Sequence, residues 1–155
     1  MPNAVAHLYS VAFTVLAAAA PATYAVCLDP KTLISGYHVP LDEEVRSRKV
    51  IVIGKVVRAE PLQEDATDPE GITAYIYTVQ VLRQLKGHLP KVITLRTEND
   101  SGRYPMDVGE QHLLFLSAEG KHFVADSCGN SSLLPRGRAV LKSVEAELAK
   151  TSNAP

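Results

Sequence analysis

The chain has 155 residues and a formal charge of −1, with 46% hydrophobic and 21% charged residues. That length suits one domain with a single core, and the composition excludes wholesale disorder. Sixteen basic against seventeen acidic residues exclude the basic footprint of a nucleic-acid binder or of a polybasic membrane-surface module, and two cysteines exclude a disulfide-dense mini-protein.

Residues 1–25 read as an export leader. The apolar run VAFTVLAAAA at 11–20 has the length of a signal-peptide core, and Thr23-Tyr24-Ala25 fits a signal-peptidase site. The run is shorter than the roughly 20 residues a membrane-spanning helix requires. Cleavage falls after Ala25 or after Val26, leaving a domain over 26–150 and a frayed tail over 151–155. The expected location is periplasmic or extracellular. In an oxidising compartment Cys27 and Cys128 default to a bridge, closing a loop of about 100 residues.

The mature chain then reads in order. Pro40 to Arg48 is a short helix: acids follow the proline, arginines come last, and Leu41 and Val45 form one apolar edge at i,i+4 spacing. Lys49–Val57 (KVIVIGKVV) is a strand buried on both faces, with a bulge or bend at Gly54. Residues 59–71 are an acidic exposed loop. Over Ile72–Leu82 the alternation puts Tyr75, Tyr77, Val79 and Val81 on one face. Lys86 to Pro90 form a turn, 92–96 a strand, and 97–110 a polar connection. Two strands, 112–116 and 122–125, flank a tight turn at Glu119-Gly120. Residues 128–137 connect to a terminal helix over 139–148, with Val140, Leu141, Val144 and Leu148 on one face. Five strands with a helix at each end suit a small closed barrel; a β-sandwich needs about seven.

An amino-terminal Cys27 and short helix precede Gly54-Lys-Val, Leu85-Lys-Gly, Val108-Gly-Glu and Cys128-Gly-Asn, in that order. This resembles the netrin-module and tissue-inhibitor-of-metalloproteinases group, in its bacterial secreted form, over nearly all of the mature chain. The resemblance implies a mainly β fold, a five-stranded OB-type barrel with a short N-terminal helix and a C-terminal helix. It also implies a protein partner, a zinc metalloproteinase in the sharpest form. The implied binding ridge is Cys27, Leu28 and Asp29 joined to Cys128, Gly129 and Asn130. Inhibitors of the group lay a Cys-x-Cys terminus on the protease zinc through its α-amine and first carbonyl. Here the stretch reads Cys27-Leu28-Asp29, without the second cysteine. The alternative is a non-inhibitory binding module of the cell envelope.

Other chemistry finds no footing. His112 and His122 fall on opposite faces of their hairpin, with His122 expected opposite Ser117, so they do not converge on a metal. His38 and His88 sit in loops. Ser127 and Ser131-Ser132 lack a nucleophile-elbow context. Glu43-Glu44 and Glu64-Asp65 read as solvated charge. Gly102, Gly109 and Gly120 are isolated, so no phosphate loop forms. Tyr75 and Tyr77 read as core packing, not a base-stacking platform, and Glu60, Asp65, Asp68 and Glu70 do not match a calcium-loop spacing. No enzyme, metal or cofactor is expected, and neither nucleic acid nor a membrane is expected as a partner.

Overall fold

A computed structural model of the chain describes residues 27–152 apart from residues 69 and 101. The expected leader over 1–25 and the last three residues of the expected tail lie outside them. The β-branched run forms the long strand β1 (Val50–Leu62). After it come β2 (Ala74–Lys86), β3 (Val92–Glu98), β4 (Gln111–Glu119), β5 (His122–Ala125) and β6 (Ser132–Leu134), with α1 (Leu41–Ser47) before and α2 (Arg138–Ser152) after them.

The strands follow the order β1-β2-β3-β5-β4-β6, and β1 also pairs with β4. Five strands therefore close a ring. All pairings are antiparallel except β3 with β5, which share the single parallel pair Leu95↔Phe123. Inside the ring pack Val52, Val56, Tyr77, Val79, Ile93, Leu95, Leu114 and Leu116. A second cluster, Val45, Ile51, Leu113, Phe115 and Val144, lies between the sheet and the two helices, with Leu41, Val140, Leu141 and Leu148 against it. Each fully buried side chain of this size stabilises by about 1.5–3 kcal/mol. β1 and β4 are the strands covered on both sides, which is why KVIVIGKVV and HLLFL read as nearly continuous apolar runs rather than as alternations.

Most elements form where the pattern puts them. The expected face of β2 points inward, with Tyr77 and Val79 buried and Tyr75 and Val81 packed beside them. The β1–β2 register slips between Ile53 and Gly54, and a Cβ on Gly54 would collide with the Val79 side chain. The stripe on α2 covers the second cluster as expected, although the helix runs on to Ser152, past the expected start of the tail.

Several boundaries differ, β3 and β4 running to Glu98 and Glu119 among them. Residues 59–62, expected in the loop, continue β1 and pair with Ala74 to Tyr77. Pro61 is tolerated there because β4 accompanies β1 only over Val50–Lys55, so the far part of β1 has an open edge. At its other end strand β2 extends to Lys86, which pairs with Ile51. The β4–β5 turn is Gly120-Lys121, so His122 pairs with Glu119 and not with Ser117. Gly120, at φ 56°, takes the first central position, where a non-glycine residue would be strained. Finally, 132–134 form β6 on β4, a strand too short to show a period.

Candidate binding ridge

The expected ridge residues do come together. Cys27 and Cys128 form a disulfide with 5.5 Å between their Cα atoms. On the amino-terminal side, the chain turns back on itself as a small arm. Leu28 bridges to Ser35, Asp29 N–H donates to the Ile34 carbonyl at 2.9 Å, and Leu33 N–H donates to the Asp29 carbonyl at 2.9 Å. Tyr37 N–H donates to the Cys27 carbonyl at 3.0 Å. The Asp29 carboxylate closes the turn by accepting from Lys31 N–H at 2.7 Å and Thr32 N–H at 2.9 Å. These amides, Thr32 first, hold the carboxyl below its usual range.

This arm displays apolar surface. Leu28 is 50% exposed, Ile34 67% and Leu33 72%. Leu33 also sits at φ 57°, a left-handed backbone that disfavours any residue with a Cβ by about 1–2 kcal/mol. Leu33 and Ile34 were not among the sequence candidates. Their signal was an aliphatic pair in a short segment bounded by Pro30 and Gly36, where neither strand nor helix has room to bury it.

The other half of the ridge is built on α1. Glu44 is 1% exposed, which corrects its reading as solvated charge. Its Oε2 accepts from the backbone N–H of Asn130 at 2.7 Å and from Asn130 Nδ2 at 2.8 Å, and its Oε1 accepts from Arg48 Nε at 3.2 Å. The Asn130 side-chain amide also donates to the Val39 carbonyl at 2.9 Å. Gly129 lies so close that a Cβ there would stand 2.5 Å from Glu44 Oε1. Arg48 reaches onward to Asp126 Oδ2 at 3.4 Å and to the Ser117 hydroxyl. Asp126 in turn accepts from Cys128 N–H through Oδ1 at 2.8 Å. A buried carboxylate is tolerated only with such partners. The sequence did carry a signal: Glu44 lies three residues after Leu41 and beside Val45 on the apolar edge of α1, with Arg48 one turn further on.

Three carboxylates act on Tyr37 beside the ridge. The Tyr37 phenol is pushed up first by the protein surface that screens it from water, then by the carboxylates of Glu43, Asp29 and Asp126.

The histidines do not converge. His112 is buried, its Nδ1 3.0 Å from the Tyr104 hydroxyl and its Nε2 3.1 Å from Glu110 Oε2. Burial pushes its pKa down, outweighing the neighbouring Glu110 carboxylate. The ring is therefore neutral near pH 7: Nε2–H donates to Glu110 and Nδ1 accepts from Tyr104. His122 Nδ1 lies 3.0 Å from Thr94 Oγ1. His38 and His88 are exposed. Ser131 Oγ accepts from Phe115 N–H at 3.0 Å, a packing role. Glu64 and Asp65 are exposed, Glu64 paired with Arg96 at 2.6 Å and Asp65 accepting from Thr67. Among the described residues no three His, Cys, Asp or Glu side chains are grouped to hold a metal, and no helix is long and apolar enough to cross a membrane.

No protein-family model matches this chain, and no curated protein matches it significantly.

Proposed function

We propose that the protein is an exported binding domain built on an OB-type barrel of the netrin-module kind, and that it docks a protein partner through the disulfide-joined ridge. The observation that carries this is the arm tip: Leu28, Leu33 and Ile34 stand exposed on a turn held by its own hydrogen bonds, with Leu33 in a strained backbone. Strain and exposed aliphatic surface kept at one place favour function over packing. The ring order β1-β2-β3-β5-β4, with β3 and β5 parallel, supports the barrel type. A disulfide supports an oxidising compartment.

A second reading is the zinc clamp of the metalloproteinase inhibitors, favoured by the disulfide that joins Cys27-Leu28-Asp29 to Cys128-Gly129-Asn130. It asks more of Cys27, which is 7% exposed and whose carbonyl already accepts from Tyr37 N–H. Two variants separate the readings in an inhibition titration against a zinc metalloproteinase, alongside binding of the same catalytic domain. One extra residue ahead of Cys27 displaces the α-amine and abolishes a clamp, but leaves docking by the tip intact. Leu33→Gly does the reverse. Binding untouched by Leu33→Gly would overturn the tip as the docking element.

A further inference from the structure

The bridge does not tie together two parts of the core. Within 27–40 the one buried residue is Cys27; all the others are exposed or half-exposed. The arm's hydrogen bonds are internal, from Asp29, Leu33, Tyr37 and the turn amides. Among the described residues, those reaching from 27–39 to the rest of the molecule all fall at Val39, whose N–H donates to the Cys128 carbonyl at 3.1 Å and whose carbonyl accepts from Asn130 Nδ2. The Cys128 side is different. Asp126 accepts the amides of Cys128 and Gly129, and Glu44 accepts Asn130, so that half of the ridge is held without the sulfur bond.

From this asymmetry we infer that the Cys27–Cys128 bond is a reducible clasp on the arm, and that a dithiol reductant releases residues 27–38 while the ring of strands and the Cys128–Asn130 segment stay folded. In the exchange, the bond between the Cys27 and Cys128 sulfurs breaks. The two sulfurs of the reductant become a disulfide, and its two protons end on Cys27 and Cys128 as thiols. With the clasp open, Leu33 relaxes out of its left-handed backbone. The tip residues cease to be a fixed surface, so any partner must reorder them on binding and affinity falls. That loss of affinity rests on the ridge being the docking element; the release of the arm does not.

The test needs no partner. Amide exchange is followed residue by residue on the full chain, oxidised and after treatment with a dithiol. On reduction the amides of Asp29, Leu33 and Tyr37 should speed up by about tenfold or more, toward unprotected rates, while Val52, Leu95 and Asn130 remain strongly protected. Unchanged arm protection would overturn the inference by showing that non-covalent contacts suffice. Loss of protection throughout β1–β5 would overturn it by making the bridge a staple of the whole domain. The Cys27→Ala variant, examined without reductant, must reproduce the reduced pattern. If reduction releases the arm while Leu33→Gly leaves binding unchanged, the clasp stands and the tip as docking element fails.

Discussion

Removing the Glu44 carboxylate should damage the ridge from beneath. In Glu44→Ala the half-buried backbone amide of Asn130 loses its acceptor, at about 1–3 kcal/mol for an orphaned donor. The Asn130 side chain keeps the Val39 carbonyl, and Arg48 keeps Ser117 and Asp126, so neither is stranded. That places the loss near 3 kcal/mol, at the low end of the about 3–5 kcal/mol seen when a buried pair is broken outright. In Glu44→Gln the side-chain oxygen can turn to Asn130, but its amide then faces Arg48 Nε. The charge-assisted bond is lost and about 1.5 kcal/mol with it. In urea, with a slope of about 1.5 kcal/mol per molar, the midpoints should fall by about 2 M and about 1 M at unchanged slope. Gly129→Ala should resemble Glu44→Gln. Its Cβ drives into Oε1 of a carboxylate that three hydrogen bonds hold in place, one on Oε1 and two on Oε2, and overpacking of this kind costs about 1–3 kcal/mol. If Glu44→Ala and Glu44→Gln are equal and shift stability by less than about 0.5 kcal/mol, the carboxylate is a bystander and the account of the ridge is wrong.

Three further outcomes are expected. His112 is held neutral in the folded chain, with its pKa below the ordinary 6.5, so its contribution to stability is complete above that value and is lost as pH falls through it toward the folded pKa. Urea midpoints should therefore drop as pH falls below the ordinary histidine value of 6.5, and His112→Gln should flatten that slope; an unchanged slope refutes the assignment. Leu33→Gly relieves about 1–2 kcal/mol of backbone strain against about 0.5–1 kcal/mol of added chain entropy, so thermal unfolding should show stability equal to wild type or slightly higher. A clear loss would mean that Leu33 packs on the body. Eliminating both cysteines removes a loop closure across a sequence separation of 101, worth at most about 4.7 kcal/mol. Because the freed arm regains disorder in the folded state as well, the measured loss should fall to about 2–4 kcal/mol, and a larger one would tie the arm to the core.

Much of this architecture was legible in the sequence because local periodicity records which face of an element is apolar. The β-branched run of β1, the inward row Tyr75, Tyr77, Val79 and Val81, and the stripe on α2 all carry that record, and each packs on the face it announces. With two cysteines in the chain, a bridge had one possible intramolecular pairing. Segments with no period of their own had to wait for their neighbours. Residues 59–62 become strand because β2 lies alongside them, β6 because β4 offers it an edge, and the hairpin turn moves by one residue so that Gly120 takes the positive φ.

The ridge divides along the same line. Its covalent frame, Cys27 and Cys128, is set by residue identity alone. That Glu44 would be buried, and would hold Asn130 across 86 positions of sequence, was decided only when the ring closed and brought α1 against the Cys128 segment. Hydrophobic spacing is a property of a few neighbouring residues and survives in one dimension, whereas the partner of a buried charge is wherever the folded chain puts it.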